Sequence, residues 1–367
     1  MAAGIYIHVP FCLSKCPYCD FYSLTGATEE LKDAYTAAVI RRLKIAGEEG
    51  FAKADTLYFG GGTPSLLGGE RIASLIHAAT PLLTAAPEIT LEANPADDLA
   101  ATLAVFAVAG GNRLSMGMQS ADDSELTFLG RRHTSAQLTQ AMVDARAAGI
   151  DNISLDMMLG LSGQTADSVI RSAQTCQALG AVHVSAYLLK VEPGTPFAAR
   201  PLDLPDEDGA AALYLAACEA LEARGYRQYE ISNFSLPGRE SRHNLKYWNA
   251  EPYLGIGPAA HSFVHGKRWH YPRSLERFLK DEPPLPEDPE DETLPDGSPE
   301  EYAMLRLRLT EGLTEAAFLA RFGEPLPLEW RKNAAALPPR LVVVDAEGIR
   351  LTREGFLLSN ALLSRIL

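Results

Sequence analysis

The chain has no long hydrophobic run, little positive charge and too few cysteines for a disulfide framework, and each shortage excludes a class of protein. No window in its 367 residues approaches the roughly 18 uninterrupted apolar residues that a membrane-spanning helix needs. The run from Met1 to Pro10 carries neither a basic flank nor a small-residue cleavage site, so it does not read as a secretory signal and a cytoplasmic location is the expectation. The lack of a span still leaves room for peripheral membrane association. Lys and Arg number 33 against 47 Asp and Glu, a net charge of −14 that repels phosphate backbones and argues against a nucleic-acid partner. Five cysteines is an odd number, and thiols in a reducing compartment stay free, so disulfide pairing is a poor reading. Apolar residues at 47% and charged residues at 22% are ordinary globular values, and the length suggests two or three domains.

What is present is organised. Through the first half of the chain, short β-branched or aromatic runs alternate with Ala- and Leu-rich stretches, the pattern of βα units around a parallel sheet. Strands are expected near Gly4–His8, Thr56–Phe59, Ile89–Glu92, Arg113–Met118, Ile153–Met157 and His183–Leu188. Helices are expected between them, near Glu29–Ala46, Gly69–Leu83, Asp98–Ala109, Ser135–Ala148 and Thr165–Leu179. Six units are too few for a complete eight-unit barrel, so the expected fold is α/β, a partial (βα)6 TIM-like barrel over residues 1–205 whose loops at the carboxyl ends of the strands build one site. Residues 206–280 read as an extension, with a helix over Ala210–Arg224 and then a loop rich in Asn, Gly and aromatics from Tyr226 to Tyr271. The stretch 281–300 is dense in Asp, Glu and Pro, cannot bury apolar surface and reads as an exposed linker. Residues 301–367 carry helices over Glu301–Leu309 and Thr314–Phe322, strands over Leu341–Asp345 and Ile349–Thr352, and a last helix from Arg353. The turn Ala346-Glu347-Gly348 resembles the wing of a winged-helix module, not basic enough to suggest DNA and expected to pack on the barrel or a partner.

Three of the five cysteines fall in one short stretch, Cys12-Leu-Ser-Lys-Cys16-Pro-Tyr-Cys19, directly after the first expected strand. Three thiolates on one loop can hold three irons of a [4Fe-4S] cluster and leave the fourth open. Structural zinc is the alternative, but it takes four ligands and would need a remote one. Cys176 and Cys218 lie on Ala-rich helical stretches and read as small buried hydrophobes. Gly60-Gly61-Gly62-Thr63-Pro64 follows the second strand, where glycine lets backbone approach a ligand closely and offers N–H groups to a carboxylate. Glu92 and Gln119 end the third and fourth strands and Asp156 lies in the fifth, so all three are expected at one mouth.

This CxxxCxxC loop in this position resembles the radical S-adenosylmethionine (SAM) superfamily. The resemblance implies that the open iron is chelated by the amino and carboxylate groups of SAM, which the reduced cluster cleaves to a 5′-deoxyadenosyl radical. It further implies a SAM site built from Tyr6, Tyr18, Gly61, Gly62, Thr63, Glu92, Gln119, Arg131 and Asp156. In that site Glu92, Gln119 and Asp156 suit ribose hydroxyls and an adenine edge, and Arg131, or its neighbour Arg132, suits the carboxylate.

The run Tyr6-Ile-His8-Val-Pro10-Phe11-Cys12, the stretch Arg113 to Ser120, Gly160 to Thr165 and Glu192-Pro193-Gly194-Thr195 are similar to the coproporphyrinogen oxidase-like branch, nearly over the whole chain. Two types compete there. The oxygen-independent coproporphyrinogen III oxidase, which decarboxylates propionates, carries CxxxCxxCxC and a long segment before it, whereas here Cys19 is followed by Asp20-Phe21 and Cys12 lies near the start. The heme-chaperone type carries HNxxYW, matched by His243-Asn244-Leu245-Lys246-Tyr247-Trp248. That resemblance implies heme bound by His243, Asn244, Tyr247 and Trp248, with imidazole a common axial ligand and flat rings beside it for the macrocycle. Arg242 and Lys246 suit the propionates. His261, after the Gly-rich run Gly255-Ile-Gly257-Pro258, has no role assigned. The expected function is a radical SAM heme chaperone that inserts heme into acceptor haemoproteins, with coproporphyrinogen III oxidation as the alternative.

Overall fold

The computed structural model describes residues 2–286 and 295–367; residues 287–294 of the acidic stretch lie outside the described residues. Six parallel strands with helices between them form the first half of the chain: β1 (Ala3–Val9), β2 (Ala54–Gly61), β3 (Leu83–Ala93), β4 (Arg113–Gln119), β5 (Asn152–Leu159) and β6 (His183–Leu188). The connecting helices are α1 (Glu29–Glu48), α2 (Gly69–Ala79), α3 (Ala100–Val108), α4 (Ser135–Ala147) and α5 (Ala166–Ala178). Side-chain caps fix where several of them begin. Thr28 accepts from Leu31 N, and Thr134 and Thr165 each build a reciprocal capping box, with Gln137 and Ser168. The strands are apolar on the face the helices cover, where Ile5, Ile7, Leu57, Phe59, Leu114 and Met116 are all buried in one core. The opposite, concave face carries Tyr6, His8, Tyr58, Glu92, Ser115 and Asp156, so the sheet curls around a polar interior.

The segment read as a loop, Tyr226 to Tyr271, is instead built into the sheet. Preceded by the helix α6 (Glu207–Glu222), it holds β7 (Arg227–Gln228), β8 (Asn233–Ser235), the helix α7 (Arg242–Trp248), β9 (Tyr253–Ile256), β10 (His261–Val264) and β11 (Lys267–His270), with β12 (Leu285–Pro286) following. The sheet order is β12-β11-β10-β9-β1-β2-β3-β4-β5-β6-β8-β7. β9 is a seventh parallel strand, paired with β1 in the register Tyr6 opposite Gly255. Two to four residues interrupted by Gly and Asn carry no readable alternation. Such strands take their pairing from the edges of a sheet that already exists rather than from their own propensity. β3 is also longer than expected and α2 shorter, because Pro81 sits in the turn Thr80–Leu82 that ends the helix and releases the chain into strand at Leu83.

The carboxyl-terminal part has its own core of Ala303, Leu313, Phe318, Trp330, Leu341, Ile349, Phe356 and Ile366, over a three-stranded sheet formed by Leu313–Thr314, Val342–Val344 and Gly348–Leu351. The last helix is two, Arg353–Leu357 and Ser359–Ile366. That core is shared with Ala250, Tyr253 and Phe263 of the barrel extension, so the small domain packs on the barrel. A bridge between Glu230 and Leu309 and an Arg268 ion pair with Glu301 add to the seam.

Candidate functional site

The ends of the parallel strands bring the cysteine loop and the glycine loop together. Gly62 N donates to Val9 O at 2.8 Å and Thr63 N to Phe11 O at 2.7 Å, so the loop after β2 continues the ladder onto the residues that lead into Cys12. A Cβ on Gly62 would lie 2.7 Å from Phe11 O and 3.1 Å from Cys12 Sγ, a spacing only glycine satisfies. Thr63 Oγ1 is 3.6 Å from Cys12 Sγ. On the far side Phe197 N donates to Pro17 O at 3.0 Å and the Phe197 ring packs on Tyr18, which braces the loop from the segment after β6. All three cysteines are half-buried and free, whereas Cys176 and Cys218 are fully buried as expected. Among the described residues no three His, Cys, Asp or Glu side chains converge on the spacing of a single metal ion. A [4Fe-4S] cluster asks less of the loop, since each thiolate takes its own corner. The three sulfurs on one loop, facing a glycine wall that leaves room beside Cys12, fit that group; the N–H groups of Gly61, Gly62 and Thr63, expected to meet a carboxylate ligand, are instead taken by Glu92, Val9 and Phe11.

Glu92, Gln119 and Asp156 do converge there. Tyr58 donates its hydroxyl to Glu92 Oε1 at 2.8 Å and Gly61 N donates to Oε2 at 3.2 Å. Burial pushes the Glu92 carboxyl up to about 7, the nearby Asp156 charge adding to the rise and the two donors opposing it. Asp156 is pushed up to about 6 by burial, against hydrogen bonds from Ser185 and Ser115 and the charge of Arg113. Gln119 has φ of 65°, a left-handed conformation rare for a residue with a side chain and the kind of strain found at ligand sites. Arg131 reaches Cys16 Sγ at 3.6 Å, Tyr18 OH at 3.4 Å and Gly117 O at 3.0 Å. Arg132 turns outward to Asp97, so of the two arginines it is Arg131 that enters the mouth. Tyr6 donates to His8 Nδ1 at 3.1 Å while His8 Nε2 contacts Tyr22 O at 2.9 Å, an arrangement of a neutral imidazole that burial lowers to about 4.

The HNxxYW segment lies at the other end of the barrel. It forms α7, started by Ser241, whose hydroxyl accepts from Asn244 N. His243 is 1% exposed beneath the first residues of β1 and β2, with Nδ1 at 2.7 Å from Thr56 Oγ1 and Nε2 at 2.9 Å from Tyr247 OH. Its ring stacks on Tyr58 with centroids 5.0 Å apart, and burial lowers its pKa to about 3. Lys246 is buried with Asp55 at 2.7 Å and Glu251 at 3.1 Å, and Arg242 meets Asp55 at 3.1 Å. Asn244 and Trp248 are half-buried on the same helix. The structure thus brings the expected cluster residues together with Glu92, Gln119, Arg131 and Asp156 at one mouth and sets the expected heme residue His243 beneath it, its ring 6.3 Å from that of Tyr6 and stacked on Tyr58, with both its nitrogens engaged. His261 stands on β10, its ring stacked on His270.

Several contributors escaped the sequence. Tyr58 holds Glu92, Thr56 and Glu88 hold His243, and Arg113 is a fully buried cation whose Nε has no partner. A signal was available: Thr56-x-Tyr58, Thr90-x-Glu92, Arg113-x-Ser115, Ser154-x-Asp156 and His183-x-Ser185-x-Tyr187 are polar at every second position of strands that are largely buried.

Comparison with known proteins agrees with this architecture. The Radical SAM superfamily model matches residues 6–176, and that of the HemN C-terminal domain matches 295–358. A protein named heme chaperone HemW from Mycobacterium tuberculosis is 36% identical over 380 residues, 99% of this chain and 94% of its own. Proteins of the same name from Escherichia coli and Bacillus subtilis are 34% and 33% identical, covering 99% and 97% of this chain and 98% and 96% of theirs. In structure the chain resembles coproporphyrinogen III oxidase (HemN) from Escherichia coli, with a TM-score of 0.81 and 20% identity over 100% of this chain and 90% of that one, a likeness that speaks to fold alone. No described helix is long and apolar enough to cross a membrane. The chain belongs to the radical SAM superfamily and, within it, to the family of the heme chaperone HemW.

Proposed function

We propose that this protein is a cytoplasmic radical SAM heme chaperone, holding a [4Fe-4S] cluster on Cys12, Cys16 and Cys19 and SAM across the strand ends, and passing heme to acceptor haemoproteins. The observation that carries the reading is the convergence of the cysteine loop, Gly61 to Thr63, Glu92, Gln119, Arg131 and Asp156 at one mouth. The cluster, when bound and reduced, supplies the electron that cleaves SAM. The chain's own part is positional: Gly62 admits the methionine end beside Cys12, Glu92 and Asp156 accept from ribose hydroxyls, and Phe197 and Tyr18 shield the loop from water. The names of the relatives support heme as cargo.

The HNxxYW helix remains the proposed heme element. Tyr58, whose ring stacks on His243, donates its hydroxyl to Glu92, so one aromatic side chain lies between the proposed heme residue and the proposed SAM residues. For His243 to ligate iron, the Tyr247 hydroxyl must leave Nε2 or the Thr56 hydroxyl must leave Nδ1. The test is an anaerobic heme titration of cluster-loaded protein, followed at the Soret band, for wild type and His243→Gln, with porphyrin products assayed in the same tube. Tight binding that weakens in the variant, with no decarboxylated product, is expected. Product from coproporphyrinogen III returns the protein to the oxidase type, and failure of the wild type to bind heme defeats the reading.

A further inference from the structure

We propose that Arg131 supports the iron–sulfur cluster directly, donating a charged hydrogen bond to the Cys16 thiolate and thereby raising the potential at which the cluster is reduced. The proposal rests on the cluster reading of Cys12, Cys16 and Cys19 and adds to it a role beyond contact with the SAM carboxylate. Its Nη1 lies 3.6 Å from Cys16 Sγ, within hydrogen-bond reach of sulfur, and 3.4 Å from Tyr18 OH. Nη2 is tied to Gly117 O at 3.0 Å, which fixes the plane of the guanidinium against the loop. Nε is buried without a partner, so the fork keeps a donor for an anionic group.

The backbone is cut to fit this contact. A Cβ on Gly117 would lie 2.9 Å from Arg131 Nη2 and 2.6 Å from Gln119 Nε2, so the guanidinium occupies the space a side chain would take. Gly130, at φ of 64°, turns the chain just before Arg131, and a Cβ there would meet Pro17 Cδ at 2.9 Å, in the cysteine loop itself. Two glycines on two different elements therefore bring this one cation to this one sulfur. Arg132, the next residue, does the opposite: it faces Asp97 at 3.4 Å, more than a third exposed.

The consequence follows from charge. One-electron reduction adds a negative charge to the cluster and its thiolates, and a fixed cation within hydrogen-bond distance stabilises the reduced form more than the oxidised one. Arginine keeps its charge at any pH the protein tolerates, so the effect is constant. Tyr18 is held neutral by burial, which pushes its hydroxyl well above the usual range, and does not neutralise the guanidinium.

The experiment is an anaerobic redox titration of the reconstituted cluster without SAM, monitored by electron paramagnetic resonance, with iron and sulfide counted for each protein. Wild type, Arg131→Gln, Arg131→Lys and Arg132→Gln are compared. At a fixed ambient potential, Arg131→Gln is expected to lower the reduced-to-oxidised ratio about tenfold, a midpoint lower by about 59 mV for one electron. Arg131→Lys, which keeps charge but loses the fork, falls between, and Arg132→Gln leaves the midpoint in place. An Arg131→Gln protein with full iron content that titrates at the wild-type midpoint overturns the proposal. Where that variant assembles no cluster, an unmoved midpoint in Arg131→Lys overturns it. A wild type that binds no iron fails the cluster reading instead, a different outcome.

Discussion

Replacing Glu92 with Gln tests the electrostatics of the mouth through stability as well as binding. The Glu92 carboxyl is raised from 4.5 to about 7 mainly by burial, so the folded protein holds this proton more tightly than the unfolded chain does. Between those two values the native state binds more protons, and stability falls as pH rises. At about 1.36 kcal/mol per unit, the difference of 7 − 4.5 amounts to an upper bound of about 3 kcal/mol, absent below the ordinary carboxylate range and fully developed above neutrality. The amide retains an acceptor for Tyr58 but turns an NH2 toward Gly61 N–H, a loss of about 1–3 kcal/mol that does not depend on pH in this window. The expected signature is therefore a change of slope. Relative to wild type, Glu92→Gln gains up to about 3 kcal/mol between about pH 5 and pH 8, whatever its offset. Urea unfolding of the cluster-loaded proteins under anaerobic conditions, followed by far-ultraviolet circular dichroism at several pH values, measures it. SAM binding in the same variant at about pH 8, where the wild-type carboxyl is ionised, drops at least about tenfold, about 1.4 kcal/mol, because an ionised acceptor for the ribose is gone. Wild-type and variant stabilities that run parallel across the whole pH range refute the reasoning.

Gly62→Ala forces a Cβ to within 2.7 Å of Phe11 O and should lower the iron bound per chain after reconstitution; full iron occupancy shows that the loops have more slack than these distances allow. His243→Ala leaves Thr56 Oγ1 and Tyr247 OH unpaired in a buried site and should cost about 3–5 kcal/mol in urea unfolding, whereas Gln, able to serve both, should cost well under that. A loss below about 1 kcal/mol for the alanine variant means the site relaxes or is wet. In acid the sign reverses from Glu92: His8 and His243 are lowered to about 4 and about 3, so the stability from keeping them neutral is complete above their ordinary 6.5 and withdrawn as pH falls below it. His243→Gln should flatten that acid limb, and an unchanged limb argues that other groups govern it. Phe263→Ala, which opens the core shared by barrel and carboxyl-terminal domain, should cost about 3–5 kcal/mol and speed proteolysis at the seam; protection equal to wild type places the seam's strength elsewhere.

Much of the architecture was written in the sequence because it rests on local rules. The Ile5-x-Ile7-x-Val9 pattern, the Thr28, Thr134 and Thr165 caps and the spacing of six βα units are repeated signals, and each survives averaging over its neighbours. Cys12, Cys16 and Cys19 needed only their spacing, since one loop carries all three. Residues 226–271 were opaque for the converse reason. β9 is a four-residue strand that becomes parallel only because β1 offers it an edge, and α7 is a seven-residue helix held by Asp55, Glu88 and Glu251 rather than by its own propensity.

The sequence by itself determined which chemical groups this protein possesses and the order in which they arrive: a trio of thiols, a glycine loop, three polar strand ends and an aromatic histidine motif. Only the tertiary structure decided their distances. It brought Arg131 to Cys16, 115 positions apart in the chain, and set Glu92 against Tyr58 and Gly61, while placing His243 on the ring of that same Tyr58. The physical reason is that spacing along a chain fixes contacts within a turn or a loop, whereas contacts between strands depend on register and curvature. Those are settled by how the whole apolar face of the sheet packs against its helices.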